Sequence, residues 1–181
     1  MDALKTIACL IYPDFMSLDA IGPLQVFASA NVERQRQGLP AYYRTLLLAE
    51  QAGPIRTSAG IEVIAAQALD EIQASEIDTL LIPGGIGEHQ QVCNQRLLGG
   101  LRSAEPQIRR LGSVCSGALI LAASGLLDGR RATTHWADVE TLRRDHPNIE
   151  VLADQLHTYD AHDTQGNAHL FTSAGVTAVS Y

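Results

Sequence analysis

Arg109-Arg110-Leu111-Gly112-Ser113-Val114-Cys115-Ser116-Gly117-Ala118-Leu119-Ile120-Leu121 is an apolar run into a cysteine, a Ser-Gly pair, and then Ala and Leu at helical spacing. This is the sequence form of strand, tight turn and helix, with the reactive residue at the apex of the turn. Such a turn lifts the side chain to the carboxyl end of a sheet and aims the helix N-terminus at it. The partial positive charge there lowers a thiol pKa. Cys115 is therefore expected to be a nucleophile, with the Ser116 backbone N–H as an oxyanion donor beside it. The competing reading is a buried cysteine that only fills core space.

Outward from this elbow, strand-like and helix-like stretches alternate, which predicts an α/β fold with a mostly parallel sheet. Strands are expected over 6–12, 43–49, 79–83, 131–134, 150–152, 157–160 and 168–173. Helices are expected over 24–36, 69–74, 97–109, 116–123 and 137–144, the first capped near Gly22-Pro23 with Pro early in its first turn. Residues 54–57 and 62–64, joined at Ala59-Gly60, read as a small hairpin. Gln165-Gly166-Asn167 reads as a turn between the last two strands, and 175–178 as a helix start. The chain stops at Tyr181, before the last sheet face is covered, which points to a fragment of a longer protein.

The 181 residues suit one domain, since domains run about 100–200 residues. With 46% hydrophobic and 18% charged residues, the chain can build a core. A net charge of −7 argues against direct nucleic-acid binding, which needs a basic face. No apolar run reaches the roughly 18 residues of a membrane span. The N-terminus reads as a buried strand rather than a signal peptide. Cys9, Cys93 and Cys115 are widely spaced and odd in number, suggesting neither a disulfide framework nor a zinc site. A cytoplasmic protein with reduced thiols is the simplest expectation.

Further segments are candidates to meet Cys115 at the carboxyl end of the sheet. Gly84 and Gly85, with Ile86 after them, follow the strand ending in Leu81-Ile82-Pro83. Paired glycines let a ligand approach the backbone and offer N–H groups to an anion; otherwise they form a plain strand-exit turn. Asp19 falls in the loop or first turn after the first strand. Beside a thiolate it would share a proton, donating to sulfur or acting as a general acid; otherwise it caps a helix. His135 is either the base of a Cys–His pair or a ring packed beside Trp136. His157, Asp160, His162, Asp163 and His169 make a metal-like set, but their spacing fits no standard zinc pattern and their segment reads as a surface hairpin. No metal or cofactor is expected.

These pieces together resemble the PfpI/ThiJ superfamily, the class I glutamine amidotransferase-like fold. Its marks are Leu18-Asp19 with Gly22-Pro23, Ile82-Pro83-Gly84-Gly85, Ser113-Val114-Cys115-Ser116-Gly117, the run from Gly125 to Trp136, and Thr172-Ser173-Ala174-Gly175-Val176-Thr177-Ala178. The resemblance implies a flavodoxin-like three-layer sandwich with helices on both sheet faces, and a homodimer. Two subgroups share these marks: the sensor domain of AraC-type transcriptional regulators, which precedes a DNA-binding helix-turn-helix pair, and the isonitrile hydratases. By resemblance to the second, Cys115 is the nucleophile, Asp19 its acid partner, and Ser116 lies beside them. Family amidotransferases and proteases place His directly after the cysteine, where this chain has Ser116; Asp19 stands where many members carry Glu. Amidohydrolysis, proteolysis and glyoxalase-type activity are therefore not expected. Residues 143–151, 30–43 and 53–60 look more like the regulators. The expectation is a small-molecule sensor whose ligand sits over Cys115 between Asp19, Gly85 and Ser116, with DNA bound only through a domain absent from this chain. The alternatives are a cofactor-independent cysteine hydratase or lyase, and a redox sensor in which Cys115 is oxidised.

Overall fold

A computed structural model describes residues 4–160 and 169–175. In chain order its elements are β1 (Lys5–Leu10), α1 (Ser17–Arg36), β2 (Tyr43–Ala49), β3 (Gly53–Arg56), β4 (Glu62–Ala65), β5 (Gln67–Ala68), β6 (Ile77–Ile82), α2 (Glu88–Gln91), α3 (Gln95–Ala104), β7 (Arg110–Val114), α4 (Gly117–Ala123), β8 (Arg131–Ala132), α5 (Val139–Asp145), β9 (Glu150–Val151), β10 (His157–Asp160) and β11 (His169–Ser173).

Seven strands form one sheet in the order β10-β11-β7-β6-β1-β2-β5. Every pairing in it is parallel except β10 with β11. β1 and β6 are buried nearly end to end, as strands covered on both faces must be, and this explains their unbroken apolar runs. From β1 the chain steps one way to β2, then returns to β6 on the other side of β1 and continues to β7. Right-handed crossovers in opposite directions place α1 and α3 on opposite faces. The reversal lies between β1 and β6, and the crevice beyond the strand ends at such a point is where α/β sheets bind ligands. The loops after β1, β6 and β7 all open there.

Several expected elements differ, each for a local reason. α1 begins at Ser17 rather than 24, so Pro23 sits inside the helix. The ring nitrogen of Pro23 cannot donate to the Asp19 carbonyl one turn back. Residues 30–43 are the end of α1 and a short loop rather than a separate arm. The expected helix over 69–74 is a set of turns followed by a 3-10 turn at Ala74–Glu76. There the Glu71 carboxylate accepts the Ala68 N–H at 2.9 Å, a local bond that competes with helix. α3 is capped by the Asn94 side chain, which accepts the Leu97 N–H at 3.2 Å, and it ends as Pro106 enters a 3-10 turn. The strand expected over 131–134 stops at Ala132, because Thr133 and Thr134 turn their bonding to other partners: Thr133 N–H donates to Thr172 Oγ1 at 2.7 Å.

The last hairpin is not wholly at the surface. β11 is an interior strand beside β7, and the Phe171 ring lies where any Cβ on Gly112 would stand. The expected turn at 165–167, most of the helix start at 175–178, and His162 and Asp163 lie outside the described residues. Among the described residues no group of His, Cys, Asp or Glu is arranged to hold a metal, and no helix is long and apolar enough to cross a membrane.

Candidate active site

β7 delivers Cys115 into the left-handed backbone region at φ 58°, a conformation that costs a non-glycine residue on the order of 1–2 kcal/mol. Neighbours hold it there. The Cys115 N–H donates to Ser173 O at 2.9 Å, and Thr134 Oγ1 donates to Cys115 O at 3.0 Å. Ser116 is the N-cap residue of α4. Gly117 is required at close quarters: a Cβ there would meet the carbonyls of Ile82 and Pro83. The elbow read from the sequence is thus built, with β6 packed directly against it.

Asp19 reaches the elbow from the first turn of α1. It is 4% exposed, and Met16, not Asp19, is the N-cap residue of α1. The Asp19 carboxylate instead accepts the Gly84 N–H at 3.2 Å and a hydrogen bond from the Cys115 thiol. Burial pushes the Asp19 carboxyl above the ordinary range, while those two bonds and nearby His135 pull it back. The Cys115 thiol is pushed up to about 11, by burial first and the Asp19 charge next. The Ser116 N–H lowers it, and Asp138 adds to the rise. The expectation of a lowered thiol pKa is therefore corrected. Two carboxyls and burial outweigh one amide at the end of a two-turn helix. The Cys115 thiol is thus favoured in its protonated form beside Asp19.

The glycine turn is also committed to structure. Gly84 O accepts the Met16 N–H at 2.7 Å, and the Gly85 N–H donates to Ser116 Oγ at 3.1 Å. Gly85 adopts φ 128°, where an added Cβ would meet the backbone of Asp14, Phe15 and Met16. The Gly84 and Gly85 amides thus already have partners, and an anion would have to displace them. Ile86 projects from the same turn and is 69% exposed.

His135 stands near the pair without joining it. Its Nδ1 accepts the Ala137 N–H at 3.4 Å and lies 3.7 Å from Asp138 Oδ2. Its ring is 5.2 Å from that of Trp136, which is exposed. His135 acts on the pair through its charge, felt by Asp19. A groove of about 370 Å³ lined by Leu69, Ile72, Leu97 and Gly100 shares no residue with this site.

Three further residues near the site carry no clear signal in the sequence. Thr134 holds the Cys115 carbonyl. Asp138, in the 3-10 turn Trp136–Asp138, bears on the thiol. Glu88, just past the glycine turn, is 2% exposed and its carboxyl is raised to about 7. Its position one residue beyond Gly85-Ile86-Gly87 was the only signal available.

The chain is 32% identical over 172 residues to isonitrile hydratase of Pseudomonas putida, covering 95% of this chain and 66% of that protein. It is 32% identical over 136 residues to the HTH-type transcriptional regulator CdhR of Pseudomonas aeruginosa, covering 75% of this chain but only 37% of the regulator. The crystal structure of a THiJ/PfpI family protein from Pseudomonas syringae superposes with a TM-score of 0.79 at 26% identity, covering 98% of this chain and 65% of that one. The DJ-1/PfpI family model matches residues 5–181. With the elbow cysteine, its carboxyl partner and the glycine turn in one crevice, the chain belongs to the DJ-1/PfpI family.

Proposed function

We propose that this chain is a small-molecule-sensing domain of the kind found in AraC-type transcriptional regulators, with its ligand seated over Cys115 against Asp19, Ile86 and His135. The protonated Cys115 thiol carries this reading. A thiol at about 11 is almost wholly neutral at pH 7, and the Gly84 and Gly85 amides already have partners. Such a site is better prepared to bind than to attack. The similarity to CdhR over 75% of this chain supports the same reading. DNA contact belongs to a separate domain, in keeping with the net charge of −7. A regulator of this kind would act in the cytoplasm, where its DNA lies.

The domain is further proposed to pair with a second copy. Leu18 and Ile21 are exposed together on one side of the first turn of α1, an apolar pair that a second copy would cover. Sedimentation equilibrium of the wild-type chain and of Leu18→Glu should give a dimer and a monomer respectively.

Thermal-shift titration against a library of small amines, amino acids and carboxylic acids tests the sensor reading. A ligand that raises the Tm of the wild-type chain but not of Asp19→Ala supports it. Turnover of an isonitrile, abolished in Cys115→Ala, would overturn it. That result would establish the second reading, a hydratase in which the thiol proton passes to Asp19 as sulfur attacks an electrophilic carbon. The thiol-to-Asp19 hydrogen bond specifically favours that alternative, and so does the similarity to isonitrile hydratase.

A further inference from the structure

Glu88 opens α2, and its side chain is 3% exposed. Its Oε1 lies 3.2 Å from Nδ1 of His89, a ring that is itself largely in solvent. Its Oε2 is buried with no hydrogen-bond partner. An orphaned carboxyl oxygen in a folded core is costly, and it calls for a reason. His89 partly offsets the charge from Oε1, and the other neighbours do not. Asp138 opposes its charge from the 3-10 turn Trp136–Asp138. Tyr12, in the loop after β1, feels the Glu88 charge but spends its hydroxyl on Pro83 O at 2.7 Å. α4, packed against α2, has no titratable side chain. Asp14 bonds the adjacent Gly87 N–H through its backbone carbonyl at 3.3 Å.

The backbone ties Glu88 to the site. Its N–H donates to Gly85 O at 3.0 Å. The Gly85 N–H holds Ser116 Oγ, and the Gly84 N–H holds Asp19. Asp138 bears on both Glu88 and Cys115. We propose that Glu88 is a positioning residue, whose gain or loss of a proton shifts the glycine turn and so changes how Asp19 and Ser116 hold Cys115. In the neutral form the buried carboxyl sits with no net charge. In the ionised form the negative charge, met by the solvent-exposed His89 ring on one oxygen, faces Asp138 and Tyr12, which drives α2 and the turn before it toward water. Burial raises this carboxyl to about 7, so the change falls within the physiological range. The inference goes beyond the sensor reading, since it holds whether the ligand is only bound or also turned over.

The test is the alkylation rate of Cys115 by iodoacetamide from pH 5 to pH 9, followed by mass spectrometry of the Cys115 peptide. The full chain would be used in a Cys93→Ser background, because Cys93 is exposed while Cys9 is buried. Thiol ionisation alone gives a tenfold rise per pH unit. The expected profile departs from that line by a several-fold step near pH 7, lost in Glu88→Gln and restored, with a shifted midpoint, in Glu88→Asp. A step that persists in Glu88→Gln would assign it to His89 or His135 and overturn the proposal. A straight line in the unsubstituted Glu88 chain would overturn it without any variant.

Discussion

The Gly85 N–H and Ser116 Oγ are joined at 3.1 Å across the ends of β6 and β7. One bond thus fixes the glycine turn to the cysteine elbow, and neighbouring Gly84 fixes the same turn to Asp19 at 3.2 Å. Three loops that are distant in sequence share one short piece of backbone. The pKa of the cysteine follows from its half-buried place and the carboxyls that this arrangement brings near it.

The thiol should be slow, and Asp19 should be a reason for it. Because the Asp19 charge raises the Cys115 pKa, Asp19→Asn removes a term that favours the protonated form. Alkylation of Cys115 at pH 7.5 should speed up about tenfold if the pKa falls by one unit. Rates measured by mass spectrometry in wild type and Asp19→Asn check this; a slower variant would refute it.

Mild peroxide should leave Cys115 largely unmodified. Oxidation follows thiolate content and exposure, and Cys115 at about 11 offers little thiolate. Cys93 is exposed and should react first. Peptide mass spectrometry that found sulfenic or sulfinic acid mainly on Cys115 would contradict this and support a redox sensor.

Gly84 should tolerate no side chain. An alanine Cβ would stand 2.6 Å from Ser116 Oγ and 2.7 Å from the Ser116 backbone nitrogen. Overpacking of this kind costs about 1–3 kcal/mol. Gly84→Ala should lower the denaturation midpoint accordingly, whereas Gly125→Asn, at φ 80° in open space, should cost little.

Asp78 should govern the acid limb of stability. Burial raises its carboxyl, but hydrogen bonds from Arg109 at 2.6 and 2.7 Å, with Lys5 at 3.2 Å, outweigh burial and hold it at about 2. A depressed folded pKa gives stability that is present above the unfolded value of roughly 4 and is lost as pH falls through the folded one. Asp78→Asn should therefore lower the Tm clearly at pH 7. The gap to wild type should narrow toward pH 2. An equal gap at both pH values would count against the ion pair.

The sequence determined the elbow, because a strand, a small-residue turn and a helix are written in adjacent residues of 109–121. It also determined the alternation of strands and helices, and the glycine pair after β6, which local propensity and sterics fix. It did not place the start of α1, since Gly22-Pro23 imitates a helix start while the N-cap residue, Met16, makes no side-chain cap. Nor did it show that 69–74 closes as turns through Glu71.

Only the tertiary structure decided what the cysteine is. Electrostatic environment depends on groups brought together through space: Asp19 from α1 and Asp138 from the turn before α5. A helix N-terminus can be read from a sequence, but the burial and the carboxyls that overrule it cannot. The sequence wrote a nucleophile elbow, and the packing around it made the thiol neutral.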